Sequence, residues 1–152
     1  MYRSIDKDNE VVYLNLVQAY EAEFSDLTKE VPDESGLFKV QTTIDQYHSG
    51  YLVYDNIIPV GFVVFTEGEV NDVAEFYIIP SRRHKGFGKE LAHYTFKRHP
   101  GKWQVRQIEG AAKATAFWRK TIEQFTNGKF HEDIVDDEFW GKVTRQVFEA
   151  CS

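Results

Sequence analysis

The residues best suited to chemistry lie in a short basic loop between a strongly apolar segment and a helical pattern. Two glycines, Gly86 and Gly88, would let the loop backbone approach a ligand closely. The helix predicted to begin there would direct the free N–H groups of its first turn toward an anion. The cationic side chains of the loop are Arg82, Arg83, Lys85 and Lys89. This combination favours a phosphate site, and the alternative is an ordinary basic turn that caps a helix.

Two common phosphate-binding loops do not fit these residues. A Walker loop requires Gly-x-x-x-x-Gly-Lys-[Ser/Thr], but Glu90 follows Lys89, and Arg83 stands at the first glycine position. A dinucleotide-binding fingerprint requires Gly-x-Gly-x-x-Gly, and its third glycine position holds Leu91. A metal site is not expected either, because the five histidines show no ligand spacing and the chain has one cysteine.

Apolar periodicity and turn residues divide the chain into the elements that must position this loop. Helices are predicted over residues 13–27, 86–98 and 111–125, with a shorter one near residues 43–48. Strands are predicted over residues 51–54, 57–66, 73–79, 103–108, 130–135 and 139–148. Two strand–helix units in the middle of the chain indicate an α/β or α+β protein built around a mixed sheet.

Length and composition limit the class of protein. The chain has 152 residues, which predicts one domain over residues 1–152. Its longest apolar stretches are far too short to cross a bilayer, and its first residues lack the apolar segment of a secretory signal. We therefore expect a cytoplasmic protein that has no membrane partner.

Charge is distributed unevenly along the chain. Residues 1–80 contain 4 basic residues (Lys and Arg) and 15 acidic residues (Asp and Glu), which gives a net charge of −11. Residues 81–152 contain 14 basic and 9 acidic residues, which gives a net charge of +5. The two halves sum to the net charge of −6 for the chain, and this acidity argues against a nucleic-acid partner. This uneven distribution of charge favours an anionic ligand on the second half of the chain and a cationic ligand on the first half. The alternative is that solvated surface charge is uneven without a functional reason.

The basic loop resembles a motif of one enzyme superfamily. The segment Arg83-His84-Lys85-Gly86-Phe87-Gly88 matches [Gln/Arg]-x-x-Gly-x-[Gly/Ala] of the GNAT (Gcn5-related N-acetyltransferase) superfamily. The order of predicted elements also resembles that fold over most of the chain. Three segments resemble an uncharacterised bacterial branch of predicted acetyltransferases; they are Ala74-Glu75-Phe76-Tyr77, His99-Pro100-Gly101-Lys102-Trp103-Gln104-Val105-Arg106 and Phe117-Trp118-Arg119-Lys120. The resemblance implies a mixed, mostly antiparallel sheet of six to seven strands flanked by about four helices.

The resemblance implies acetyl-CoA as cosubstrate and assigns residues to it. The backbone of Phe76, Tyr77 and Ile78 would pair with the pantetheine arm, and an N–H near Ile78 would polarise the thioester carbonyl. The pyrophosphate would lie against backbone amides of the loop, and Arg83 would orient that loop and contribute charge. The loop residues implied in cofactor binding are Arg83, His84, Lys85, Gly86, Phe87, Gly88 and Lys89.

Two positions depart from the pattern of the superfamily. The helix after the fifth strand commonly carries Asn-x-x-Ala-x-x-[Phe/Leu]-Tyr, in which the tyrosine protonates the departing thiolate. Here Ala111 stands at the asparagine position and Trp118 at the tyrosine position. Because an indole offers only a weak N–H donor, we expect Trp118 to pack in the core and solvent to protonate the thiolate.

An amine acceptor needs a base, because the ammonium form cannot attack a thioester. Glu75 is the leading candidate, since it interrupts an apolar strand where the thioester should lie, and Asp72 is the runner-up. The alternative for Glu75 is a solvated or structurally paired side chain.

The sequence thus predicts an N-acetyltransferase that moves the acetyl group of acetyl-CoA to a primary amine by direct attack. Acidic residues in and after the first helix favour a cationic acceptor; they are Glu21, Glu23, Asp26, Glu30, Asp33 and Glu34. The competing hypothesis is a non-catalytic acyl-CoA-binding or regulatory module, which Ala111 and Trp118 would suit. An exposed final hairpin could support a homodimer.

Overall fold

The computed structural model of this chain describes residues 1–151. The three helices of these residues are α1 (Glu10–Thr28), α2 (Phe87–Arg98) and α3 (Ala112–Thr126), and a short 3-10 helix spans Pro80–Arg82. The seven strands are β1 (Tyr2–Ser4), β2 (Ser49–Asp55), β3 (Ile58–Thr66), β4 (Asn71–Ile78), β5 (Gly101–Ile108), β6 (Phe130–Asp137) and β7 (Gly141–Ala150).

The strands form one mixed, mostly antiparallel sheet, as predicted. Their order is β1-β2-β3-β4-β5-β7-β6. β1 with β2, β2 with β3, β5 with β7 and β6 with β7 are antiparallel pairs, whereas β4 and β5 run parallel. The parallel register joins Asn71 to Trp103 and Asp72 to Gln104, at the start of β4. The strand count of six to seven is therefore confirmed.

The prediction of a short helix near residues 43–48 is wrong. The described residues contain three α-helices, whereas about four were expected. One Asp45 carboxylate oxygen accepts the backbone N–H groups of Tyr47 and His48 at 2.8 and 2.9 Å, and it lies 2.9 Å from Nδ1 of His48. A local aspartate turn therefore takes backbone donors that a helix would use, which is a common competition for this residue type.

Two compact units make up the described chain. The first comprises Met1–Phe65 and Ala74–Gly88, and the second comprises Thr66–Val73 and the residues from Lys89 onward, so that β4 contributes to both. The prediction of a single domain over residues 1–152 stays a prediction.

The first unit has an apolar core between α1 and its strands. This core contains Ile5, Tyr13, Val17, Leu52, Phe62, Val64 and Tyr77. The Tyr13 and Phe62 rings meet edge to face at 5.0 Å, a favourable aromatic geometry. Tyr13 and Val17, four residues apart, form an inward stripe of α1, and α1 packs on this core through that stripe.

The second unit is organised around the Phe96 ring. This ring lies 5.0 Å from Trp103, 5.3 Å from Phe125 and 4.8 Å from Phe148, measured between centroids. Trp118 is 5% exposed and lies 6.4 Å from the same ring, so it packs in the core as expected. No helix within residues 1–151 is long and apolar enough to cross a membrane.

Candidate active site

Glu75 lies in the second half of β4 and is held by two hydroxyl groups of the first unit. The Thr42 hydroxyl donates a hydrogen bond of 2.9 Å to Oε1 of Glu75, and the Tyr20 hydroxyl forms a further hydrogen bond with this carboxyl. Tyr13 fixes the Thr42 backbone, because its hydroxyl donates to the Thr42 carbonyl oxygen at 2.7 Å. Glu75 as a whole is half-buried, and its two hydroxyl partners fix the orientation of its carboxyl.

Burial raises the pKa of the Glu75 carboxyl above its ordinary value. The hydrogen bonds from Tyr20 and Thr42 and the nearby His48 lower the pKa, but burial outweighs them. A carboxylate with a raised pKa binds a proton more tightly than a solvated glutamate does. The environment of Glu75 therefore suits a general base.

Glu21 is a second carboxyl of this site, and its burial was not foreseen from the sequence. Its side chain is 4% exposed, and its pKa rises to about 7, mainly through burial and further through the negative charges of Glu75 and Glu30. The spacing of four residues in Tyr13, Val17 and Glu21 is the sequence signal that places Glu21 on the inward stripe of α1. Three carboxyls therefore lie in one part of the first unit, and we call Glu21, Glu30 and Glu75 the acidic group.

Other acidic residues of the first unit have different roles. Glu23 binds Arg83, and the Asp33 carboxylate accepts backbone N–H groups of Ser35 and Leu37 at 2.8 and 3.1 Å. Asp26 and Glu34 are exposed. Of the six acidic residues noted in the sequence, the structure brings Glu21 and Glu30 together with Glu75.

Asp72, the runner-up base, belongs to an ion-pair network of the second unit. Its Oδ2 lies 2.7 Å from Arg106, whose guanidinium also binds Asp137 at 3.1 Å. Burial raises the pKa of Asp72, and the charge of Arg106 opposes that rise. A carboxylate that is already neutralised by an arginine is less available to accept a substrate proton, so the geometry favours Glu75.

The backbone of the basic loop turns sharply before α2 begins. His84 and Gly86 have φ angles of 61° and 92°, in the left-handed region, and α2 starts at Phe87. A backbone of this kind can direct successive N–H groups toward one point, and the first turn of a helix adds further N–H donors. A left-handed turn directly before a helix start is a feature of many anion-binding loops.

The four cations of the loop divide into two kinds. Arg82 binds Asp55 at 3.0 Å, and Arg83 forms a bidentate pair with Glu23 at 2.7 and 2.8 Å. Lys85 and Lys89 are exposed and have no ion pair within residues 1–151. The lysines are thus the cations available to an anionic ligand.

Arg83 also connects the loop to the end of β4. Its Nε donates to the Ile78 carbonyl oxygen at 2.9 Å, and its guanidinium lies 5.6 Å from the centre of the Tyr77 ring. Tyr77 and Ile78 are buried, and Phe76 is half-buried. The arginine therefore has contacts that orient the loop relative to the strand segment that precedes it.

No protein-family model matches the chain, and no curated protein matches it. Solved structures match along its whole length. A protein from Bacteroides thetaiotaomicron assigned to the GNAT family has a TM-score of 0.58 and 17% identity, with 100% of this chain and 88% of the other covered. The chain has the GNAT fold.

Two other structures with the GNAT fold match it at similar levels. An aminoglycoside 6'-N-acetyltransferase in complex with coenzyme A has a TM-score of 0.65 and 12% identity, with 100% of this chain and 98% of the other covered. A spermidine N-acetyltransferase chimera that includes the Vibrio cholerae protein has a TM-score of 0.64 and 13% identity, with coverage of 99% and 96%. At such identities the likeness establishes the fold.

Proposed function

We propose that this GNAT-fold chain forms one domain and is an N-acetyltransferase that moves the acetyl group of acetyl-CoA directly to a primary amine. The single observation that carries the proposal is Glu75, a half-buried carboxyl with a raised pKa on β4. It shares the first unit with the basic loop of residues 82–88. A base and an anion-binding loop are the two parts that this reaction needs.

The residues present fit coenzyme A. Acetyl-CoA supplies the acetyl group as a thioester and brings phosphates that need donors and cations. The backbone of Phe76, Tyr77 and Ile78 would bind the pantetheine arm, as the resemblance implies. The pyrophosphate would be held by Arg83, His84, Lys85, Gly86, Phe87, Gly88 and Lys89. The left-handed turn at His84 and Gly86 and the exposed lysines support this assignment.

Glu75 would remove the proton that prevents attack. An alkyl amine with a pKa of about 10.4 is neutral in roughly one molecule in 10³ at pH 7. The carboxylate, oriented by the hydroxyl groups of Thr42 and Tyr20, accepts this proton directly or through a water molecule. The neutral amine nitrogen then attacks the thioester carbonyl carbon, and the carbon–sulfur bond breaks.

Protonation of the departing thiolate would fall to solvent. Trp118 stands at the position of the usual tyrosine and packs against Phe96 in the second unit. A thiol has a pKa of about 8.5, so at pH 7.5 protonation of the free thiolate is favourable by about one pH unit, or roughly 1.4 kcal/mol. Solvent can therefore supply this proton.

A cationic acceptor is supported by the charge of the first unit. The acidic group of Glu21, Glu30 and Glu75 would attract an ammonium ion. Two of the matched structures are named for acceptors of this kind, spermidine and an aminoglycoside.

The second candidate is a non-catalytic acyl-CoA-binding or regulatory module. Ala111 and Trp118 favour it, because neither side chain can supply the polar group that is common at its position in the superfamily. Such a module would bind acetyl-CoA and release no thiol.

A thiol-release assay separates the two candidates. Purified protein is incubated with acetyl-CoA and a panel of amines, amino acids, polyamines and peptides, and calorimetry measures coenzyme A binding in parallel. An enzyme gives thiol release that depends on the amine. Binding of coenzyme A without release from any member of the panel would select the module.

A further inference from the structure

Glu21 is a buried glutamate whose carboxyl has no partner within residues 1–151. It follows Tyr13 and Val17 on the inward stripe of α1, where an apolar side chain would be expected, and it is 4% exposed. Within residues 1–151 its carboxyl has no hydrogen bond and no ion pair. The other members of the acidic group differ, because Glu75 accepts hydroxyl donors and Glu30 accepts the Gln41 amide at 3.2 Å.

Such a carboxyl lowers the stability of the fold unless something else compensates it. A buried charge without a partner is costly, and apolar replacements of buried charges are often neutral or stabilising. The charges that act on Glu21 are those of Glu75 on β4 and Glu30 after α1, and both are negative. The nearby aromatic hydroxyls of Tyr13 and Tyr20 are neutral near pH 7, since their pKa values are raised.

Within residues 1–151 no cation forms an ion pair with a member of the acidic group, and two cations of the same unit are engaged elsewhere. Arg83 is bound to Glu23, and His48 acts on Glu75 and hydrogen-bonds with Asp45. The acidic group therefore carries more negative charge than the chain compensates. Glu30 and Glu75 are half-buried, so the group is open to a ligand from solvent.

We propose that Glu21 binds a second, non-reacting ammonium group of the acceptor, so that the acceptor is a diamine or another compact dication. This inference rests on the proposed N-acetyltransferase function and names the substrate class of the same site. The reacting amine lies at Glu75, and the second ammonium group lies at Glu21.

The two carboxyls would have different tasks during transfer. Glu75 accepts one proton of the reacting ammonium group, and the nitrogen attacks the thioester carbonyl carbon. The thiolate leaves with the electron pair of the carbon–sulfur bond and takes a proton from solvent, and the nitrogen loses a second proton to solvent as the amide forms. The ammonium group at Glu21 keeps its proton throughout. A monoamine would neutralise one carboxyl and leave the other buried without a partner, which is why two cationic groups suit this site better than one.

The test compares diamines with monoamines of the same chain length. We would measure kcat/KM for 1,4-diaminobutane against butylamine and for 1,3-diaminopropane against propylamine. One charge-assisted hydrogen bond predicts a preference for the diamine of about 10- to 100-fold. Glu21→Gln should abolish this preference, mainly by raising KM for the diamine. Glu10→Gln removes a charge from the first turn of the same helix and should retain the preference.

Calorimetry gives an independent measurement of the same contact. Binding of 1,4-diaminobutane in the presence of coenzyme A should be at least tenfold weaker in Glu21→Gln than in the wild type. Equal affinities, or a diamine preference that survives in Glu21→Gln, would overturn the role of Glu21. Acetylation of monoamines with no diamine preference would overturn it and leave the proposed function intact. Diamine binding that depends on Glu21 without any acetyl transfer would instead contradict the proposed function.

Discussion

Two opposing influences set the proton affinity of Glu75. Burial raises its pKa, and the hydroxyl groups of Tyr20 and Thr42 lower it while they orient the carboxylate. The result is a carboxyl that becomes a base at a higher pH than an ordinary glutamate does. This position could be chosen from the sequence because a glutamate interrupts an apolar strand there, but its two hydroxyl partners come from distant segments and could not.

Replacing Glu75 by glutamine should remove the base and keep the shape of the side chain. We expect Glu75→Gln to lower kcat/KM by roughly 10²–10⁴ near neutral pH, with little change in coenzyme A affinity. The deficit should shrink as the pH approaches the pKa of the amine, because free amine then becomes plentiful. The measurement is kcat/KM against pH for both proteins.

A uniform loss at every pH would indicate that Glu75 positions the amine instead of accepting its proton. Asp72→Asn is the comparison, since Asp72 is bound to Arg106 and should matter less for the pH profile. A larger and pH-dependent loss in Asp72→Asn would transfer the role of base to that residue.

Glu21 should make the stability of the fold depend on pH. Its folded pKa of about 7 lies above the ordinary value of 4.5, so the folded state holds this proton more tightly than the unfolded chain does. The resulting stabilisation is fully present below about pH 4.5 and is lost as the pH rises through about 7. Its magnitude is up to about 3 kcal/mol.

Glu21→Gln lacks this titration, so its stability relative to the wild type should increase between about pH 4.5 and 8. Urea unfolding at several pH values measures the difference. A difference that stays constant with pH, or a variant that is less stable at pH 8 than the wild type, would contradict the assignment of Glu21 as a buried carboxyl without a partner.

At the level of elements, the loop between β4 and α2 was the most predictable part of the site. Its glycines and cations are local in the sequence, and local patterns specify turns and helix starts. The ion pairs of Arg82 and Arg83 could not be predicted, because Asp55 and Glu23 lie 27 and 60 residues away. Which cations remain available to a ligand is therefore known only from the structure.

Gly88 allows a direct test of close approach by phosphate. Gly86 has a φ of 92°, so a side chain there would strain the backbone, whereas Gly88 lies in α2 and does not have a positive φ. We expect Gly88→Val to weaken coenzyme A binding at least tenfold in calorimetry while the protein stays folded. Gly68→Val is the matched control and should bind normally, since Gly68 is exposed and an added Cβ would meet only the Val70 carbonyl oxygen, at 3.9 Å. Unchanged affinity in a folded Gly88→Val protein would exclude the proposed phosphate contact.

The two kinds of cation in the loop should differ in their effect on cofactor binding. Lys85→Ala should weaken coenzyme A binding and reduce its dependence on salt, because this exposed lysine has no ion pair in the described chain. Arg82→Ala should have a smaller effect, since Arg82 is already paired with Asp55. Calorimetry at two salt concentrations measures both. A larger loss for Arg82→Ala would contradict this division.

Short segments were the ones missed or misplaced. β1 has three residues and exists through its pairing with β2, for example between Tyr2 and Val53, so its own pattern is too short to predict it. The helix expected near residues 43–48 fails because the Asp45 side chain accepts nearby backbone N–H groups. The longer strands and helices were predictable because their apolar periodicity extends over many residues.

At the scale of the whole molecule, the excess charge in each half of the chain includes residues of the candidate site. The acidic excess of residues 1–80 includes Glu21, Glu30 and Glu75, and the basic excess of residues 81–152 includes Lys85 and Lys89. The proposed reaction uses an anionic cosubstrate and an amine acceptor that arrives as a cation. The charge pattern of the chain thus agrees with the two ligands of the proposed reaction.

The proposed reaction is most directly tested by following the acetyl group itself. Acetyl-CoA carrying a ¹³C-labelled acetyl group is incubated with the protein and 1,4-diaminobutane, and mass spectrometry follows the amine, the cofactor and the protein. Direct transfer predicts one labelled amide for each thiol released, with the mass of the protein unchanged. Stoichiometric labelling of the protein, or intact acetyl-CoA with every amine of the panel, would contradict direct acetyl transfer to an amine.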